Sequence, residues 1–161
     1  MIEWITGTVM GKFLTTMLIS MVPVVELRGG LPYGLAMGLD YKLALTAAIL
    51  GNLIPVPFII LFVRTVFSFI KSKSKRLRKW VTALEEKADK KGDVVRKYNN
   101  IGLFLFVAIP LPGTGAWTGS LIAALFDMRL KRSVPWISLG VVTAALIITA
   151  LYYGGYYVLF S

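Results

Sequence analysis

The stretch Pro110-Leu111-Pro112-Gly113-Thr114-Gly115-Ala116-Trp117-Thr118-Gly119 limits the folds open to this chain more than any other. It lies inside an uncharged run from Tyr98 to Phe126, long enough to cross a bilayer as a helix, which needs roughly 20 apolar residues. The middle of the run cannot continue as a plain helix. Two prolines remove backbone donors, and the two glycines that follow favour non-helical backbone. Broken backbone at membrane depth survives only where it is buried in protein or lines a cavity. The break is therefore a hinge or a site.

Flanking charges choose the path of the run. Arg64 to Lys97 carries twelve Lys/Arg against four acids, and Arg129, Lys131 and Arg132 follow the run at once. Fifteen of the eighteen basic residues thus lie in two clusters, one at each end. Positive charge beside membrane segments marks the cytoplasmic side. With both ends cytoplasmic, the run enters, turns at Pro110 to Gly115 and returns as a re-entrant hairpin. The alternative is a proline-kinked spanning helix with one basic cluster outside.

Over 161 residues, 57% are hydrophobic, a composition of polytopic membrane proteins rather than soluble domains. We expect a single membrane domain, 1–161, in the cell membrane: a first half to residue 70, a basic connector over 71–97 and a second half over 98–161. The net charge of +10 is expected to meet anionic lipid headgroups. No nucleic acid is expected as a partner, because no recognition-helix or basic-aromatic pattern accompanies the charge. The chain has no cysteine and no histidine. That excludes disulfides, Cys/His zinc sites and a Ser-His-Asp triad, and no catalytic residue, metal or cofactor is expected. No secretory signal is expected either, since Met1-Ile2-Glu3-Trp4 lacks a basic start.

Taken in order, Phe13 to Val25 is uncharged but short for a span, which fits a re-entrant or interfacial arm. Pro23 ends it. Glu26-Leu27-Arg28-Gly29-Gly30-Leu31-Pro32-Tyr33-Gly34 then reads as a second broken stretch, here carrying charges. Leu43 to Val63 is the first spanning helix, with a kink expected at Asn52, Pro55 and Pro57. Between Lys71 and Lys97, Leu77, Trp80, Val81, Leu84 and Ala88 recur at helical spacing. This amphipathic helix either lies on the membrane face or packs on the bundle. Gly92-Asp93 is expected to end it. Ser133 to Ser161 is the second span, with tyrosines 152, 153, 156 and 157 suited to an interfacial belt.

A shift of 87 residues places Pro23 on Pro110, Ala36 on Ala123, Asp40 on Asp127, Lys42 on Arg129 and Leu43 on Leu130. Each half then reads as arm, break, arm, Asp-x-basic-Leu, spanning helix. One span separates the two hairpins, so they enter from opposite faces as an inverted repeat. The fold class is accordingly an all-α integral membrane protein of two opposed hairpins and two transmembrane helices, with both termini outside. Such repeats place the substrate site near the midplane, where the broken segments meet.

Candidate binding residues in the first half are Glu26, Arg28, Gly29, Gly30, Pro32 and Asn52. In the second half they are Pro110, Pro112, Gly113, Thr114, Gly115 and Trp117. Charges at membrane depth cost roughly 3 kcal/mol or more each on insertion scales and face a cavity or each other. Either Glu26 and Arg28 form a structural ion pair, or Arg28 binds an anion and Glu26 titrates, since desolvation disfavours a charged carboxylate. Bare amides at Gly113-Thr114-Gly115, before a helix from Ala116, suit a phosphate or carboxylate; a plain tight turn is the other reading. Trp117 either packs between hairpins or contacts a lipid tail. Asp40 and Asp127 stand at the two hairpin exits as helix caps or as proton-relay groups beside Glu26.

On Glu26 to Gly34 together with Pro110 to Trp117, the chain resembles the family of small multi-drug export proteins. That family is distantly similar to the DedA membrane proteins, which have opposed re-entrant hairpins and are implicated in undecaprenyl-phosphate recycling and proton-dependent transport. The resemblance implies a transporter or lipid flippase. DedA proteins carry arginines on the second hairpin; Ile109 to Phe126 carries none, which leaves Arg28 for that role. The expected function is transport of an amphipathic anion, a polyprenyl (undecaprenyl) phosphate foremost, with proton coupling. Export of hydrophobic cations against Glu26 is the alternative, and a membrane scaffold the reading from another class. An enzyme is not expected. A homodimer is, because so few spans bury a polar site poorly.

Overall fold

The computed structural model describes residues 7–73, 78–79, 81–83, 86–87, 90, 92–111 and 113–160. Among these there is helix and turn but no strand. The helices are α1 (Val9–Met21), α2 (Glu26–Ala36), α3 (Tyr41–Leu53), α4 (Pro55–Lys73), α5 (Asp93–Ala108), α6 (Ala116–Leu125) and α7 (Leu130–Phe160). Two stretches, Tyr41–Val63 and Leu130–Gly154, are long and apolar enough to cross a membrane. At 1.5 Å per residue, their 23 and 25 residues exceed the roughly 30 Å of hydrocarbon.

The first span bends where the prolines predict. α3 ends at Leu53 and α4 starts on Pro55, a residue that cannot donate to the preceding turn. The two spans run antiparallel. The Tyr41 hydroxyl, at the start of α3, is 3.4 Å from Thr149 Oγ1 near the end of α7, and the Tyr41 and Tyr153 rings meet edge to face at 6.0 Å.

In the first half α1 packs on α2 and α3. In the second, α5 packs on α7, while α6 crosses to pack chiefly on α4 of the first half. Small residues permit the approach, as they do between helices in lipid. A Cβ on Gly51 of α3 would overlap the Met17 carbonyl of α1, and one on Gly30 of α2 would overlap the Ser20 hydroxyl. The buried hydroxyls of Thr16, Ser20 and Ser120 donate to carbonyls four residues back, which leaves α1 and α6 no unmatched donor there.

Two apolar clusters result. One joins Leu27, Leu31, Ala44 and Ala48 to Ala144, Ala145 and Ile148. The other joins Val56 and Ile60 to Leu103, Phe106, Val107, Ile122, Ile137 and Val141. The breaks meet between them.

One local expectation needs correction. The stretch Glu26 to Gly34 departs from helical backbone only at its first residue, Glu26 (φ 49°). From Leu27 on α2 is helical, including Pro32, and the break lies over Val22–Val25 and the left-handed Glu26 that opens α2. Gly30 and Gly34 serve close packing against α1 rather than bending, and membrane helices tolerate one missing proline donor. Gly92, where the connector helix is expected to end, is a turn residue directly before the first turn of α5. That helix reverses at Asn99 (φ 53°, ψ −124°), so Val94 folds back over Gly102. Within the connector, Val81 is buried; Leu77, Trp80, Leu84 and Ala88 lie outside the described residues.

Candidate functional site

The four-residue break between α1 and α2 is left-handed at Val24 (φ 76°), and Glu26 follows at φ 49°. A β-branched residue with positive φ is a genuine outlier, and such strain persists only where its surroundings impose it. Val24 itself is exposed; the surroundings grip Glu26. Glu26 is 4% exposed, and its Oε1 accepts the Trp117 amide at 3.0 Å and lies against the Ala116 amide. Its carboxylate therefore caps the N-terminus of α6, the positive end of that helix.

Arg28 makes the complementary choice. Its guanidinium donates to the Leu111 carbonyl and, at 2.8 Å, to Thr114 Oγ1. The Thr114 hydroxyl in turn reaches the carbonyls of Ile109 (2.7 Å) and Leu111 (2.8 Å). The cation thus sits just beyond the C-terminus of α5, the negative end. A third tie runs the other way: the Trp117 indole N–H donates to Met21 O, the last residue of α1, at 3.1 Å. Broken helix ends of opposite polarity are matched by the two charges of the first half.

Glu26 and Arg28 attract one another, but their hydrogen bonds all go to the second break. They are not a self-contained ion pair. Nor is the turn at Gly113-Thr114-Gly115 a vacant anion nest, because Glu26 already holds the amides that follow it. Gly115 makes room for that carboxylate. Its φ is +126°, and a Cβ there would overlap Glu26 Oε2.

A cavity of about 350 Å³ opens on this junction. Its polar side chains are Glu26, Arg28, Thr114 and Thr118, and the rest of its wall is chiefly apolar, from Ile59, Val63, Trp117 and Leu121. Of the predicted residues, Glu26, Arg28, Gly113, Thr114 and Trp117 line it and Gly115 stands behind Glu26. Asn52, 3% exposed, borders a separate small void behind Glu26. Gly29 faces Val25 and Gly30 faces Ser20, Pro32 lies inside α2, and Pro110 lies outside the cavity wall; Pro112 is outside the described residues. Asp40 caps α3, its Oδ1 accepting the Lys42 amide at 2.9 Å. Asp127 borders a surface pocket with Asn99, Arg129 and Arg132. Neither aspartate reaches the cavity.

A family profile described as "Putative small multi-drug export protein" matches residues 26–147. The chain belongs to that family. The matched segment begins on Glu26 and takes in Arg28, the whole second break and most of α7. No curated protein and no solved structure matches the chain. The export family and the two apolar helices mark a membrane protein, and the family's description is compatible with a membrane transporter.

The sequence did not single out Ile59, Val63, Thr118 or Leu121 as wall residues. Ile59 and Val63 stand one helical turn apart on α4, a spacing also found on any lipid-facing side. Only the neighbouring prolines hinted that this part of the span leaves a gap. Thr118, next to Trp117 in the marked stretch, was the one readable signal passed over.

Proposed function

We propose that this protein is a transporter that binds an amphipathic anion where its two breaks meet, a polyprenyl phosphate being the substrate class that suits the site. The observation carrying this reading is the largely apolar cavity of about 350 Å³ with Arg28 in its wall. Guanidinium has five N–H donors, and the ties to Leu111 and Thr114 leave some for a phosphate oxygen. The volume is at the lower end for a ligand pocket, suiting a headgroup and the first units of an apolar chain, with the remainder in lipid. Glu26, at the cavity edge, is the proton-coupling group.

The same reading has both breaks entering as re-entrant hairpins of an inverted repeat. α1 has 13 residues and α6 has 10, about 20 Å and 15 Å of helix, too short to cross. The ends of each pair also return to one level: Lys12 on α1 lies beside Gly38 after α2, and Asn99 shares a pocket with Asp127. Cysteines introduced by Asn99→Cys and Asp127→Cys should therefore react with a membrane-impermeant thiol reagent from the same side. Labelling from opposite sides would make the second arm an ordinary span.

The functional test is purified protein in liposomes carrying a fluorescent polyprenyl phosphate. Wild type should move it between leaflets, and Arg28→Ala should reduce the rate at least tenfold. The family's description, multi-drug export, favours a second reading, for which hydrophobic cations are the cargo class that suits Glu26. In that case a lipophilic quaternary ammonium dye is transported, Glu26→Gln abolishes its binding, and Arg28→Ala matters less.

A further inference from the structure

Asn52 is a buried polar residue that neither reading uses, and the buried hydroxyls of Thr16, Ser20, Ser120 and Ser133, unlike it, are satisfied by carbonyls four residues back. It sits on α3 two residues before Ile54, at the bend of the first span. It is 3% exposed, and its Oδ1 has no hydrogen-bond partner among the described residues. A buried amide oxygen without a donor keeps its full desolvation penalty, which is hard to reconcile with a purely structural side chain. Asn52 borders a void of about 10 Å³ shared with Glu26, Arg28, Gly115 and Ala116. The void is about one water in size, and the Glu26 and Asn52 side chains both line it.

The groups around that void narrow the donor. Leu27, Val107, Val141 and Ala144 are apolar, and Gly115 and Ala116 offer backbone alone. Arg28 is the charged group facing Glu26, from its own helix; α3 contributes Asn52, α6 its amides, and α5 and α7 only apolar side chains. The terminal nitrogens of Arg28 are held at Leu111 and Thr114, and although N–H groups remain free, none reaches Asn52 Oδ1. Glu26 is then the titratable side chain beside Asn52 that gains a donor when it changes state. As a carboxylate it can only accept, and it does so from the α6 amides. As a carboxylic acid it carries one O–H and holds those amides less strongly, because charge-assisted bonds are about twice as strong.

We propose that Asn52 Oδ1 is the second seat of the Glu26 carboxyl. A proton entering from the cavity binds the carboxylate, and the acid leaves the Ala116 and Trp117 amides and donates its O–H to Asn52. The freed helix N-terminus, beside Arg28, then accepts the substrate anion. Return of Glu26 to the amides expels the anion and releases the proton. This exchange rests on the anion reading given above, but the seat itself is testable without substrate. Asn52 acts here as a positioning residue.

The experiment is an infrared pH titration of purified protein in liposomes, with the Glu26 carboxylic-acid band identified by its loss in Glu26→Gln. Asn52→Leu removes the acceptor. The band should move to higher frequency, and the pH at which it appears should fall by about one unit, the equivalent of 1.36 kcal/mol. Asn52→Asp puts a stronger acceptor at the seat, and the pH should rise instead. A higher band frequency together with a lower appearance pH in Asn52→Leu supports the seat, because a merely structural Asn52 makes no bond to the acid O–H and leaves the band frequency unchanged. The rise in Asn52→Asp is expected from like-charge repulsion in either case. A band unmoved in Asn52→Leu would show that a trapped water, not Glu26, satisfies the amide, and would overturn the proposal. If the shifts appear but no polyprenyl phosphate binds at any pH, the seat stands and the anion reading falls.

Discussion

Gly115→Ala should abolish transport and lower stability by about 3–5 kcal/mol, although it adds a single methyl group. Two costs combine. The backbone at φ +126° is one that L side chains rarely adopt, worth about 1–3 kcal/mol. The new Cβ also overlaps Glu26 Oε2, which drives the carboxylate off the α6 amides and leaves a buried charge without its partners. Breaking such a contact costs about 3–5 kcal/mol, and relaxation keeps the sum below the two added together. Thermal melts of the purified protein in detergent, with membrane insertion checked by extraction, would measure it. Adding Glu26→Ala to Gly115→Ala removes the overlap but not the strain, so the double variant should lose less than the sum of the singles. Strict additivity would mean that Gly115 serves backbone conformation alone.

Combining Glu26→Gln with Arg28→Met should not restore stability. Were the two charges each other's main partner, removing both would relieve the penalty of removing either. Their hydrogen bonds instead go to separate ends of the second break. Arg28→Met forfeits two charge-assisted bonds, about 3–6 kcal/mol together, although the Thr114 amide and hydroxyl still satisfy the Leu111 carbonyl. Glu26→Gln keeps an acceptor for Trp117 but weakens it, at about 1 kcal/mol. The double variant should lose about the sum of the two, less whatever their mutual attraction returns. A melt that recovers wild-type stability would make the pair a self-contained bridge.

Much of this arrangement was legible in the chain, and the reasons are physical. Two prolines and two glycines inside an uncharged run leave few alternatives to a break, and the break is at Ile109–Gly115. Pro55 bends the first span because it has no donor. The charges Glu26 and Arg28 were conspicuous because membrane depth penalises them. Their partners were not legible, since each binds a backbone group some 83 to 91 positions away, and backbone groups carry no sequence signal. The helical state of Glu26 to Gly34 was misread for a related reason. Glycine marks both flexible backbone and close helix contact, and only the presence of Ser20 and Thr16 opposite Gly30 and Gly34 decides between them. The cavity wall on α4 is hidden for want of contrast, because Ile59 and Val63 suit lipid as well as a ligand.

The separation of the charges from their partners also has a consequence for synthesis. Glu26 emerges with α2, but the Trp117 amide that it caps is made 91 residues later, and the Leu111 and Thr114 groups for Arg28 follow theirs by 83 and 86. At about 5–20 residues per second, the interval is roughly 5 to 20 seconds. During it the first arm carries two charges that the bilayer core rejects at about 3 kcal/mol each. On the hairpin reading proposed above, those charges would hold the arm near the headgroups until the uncharged second arm, which meets no such barrier, is in place. The last arm made would then be the first to settle and would serve as the template on which the earlier one docks.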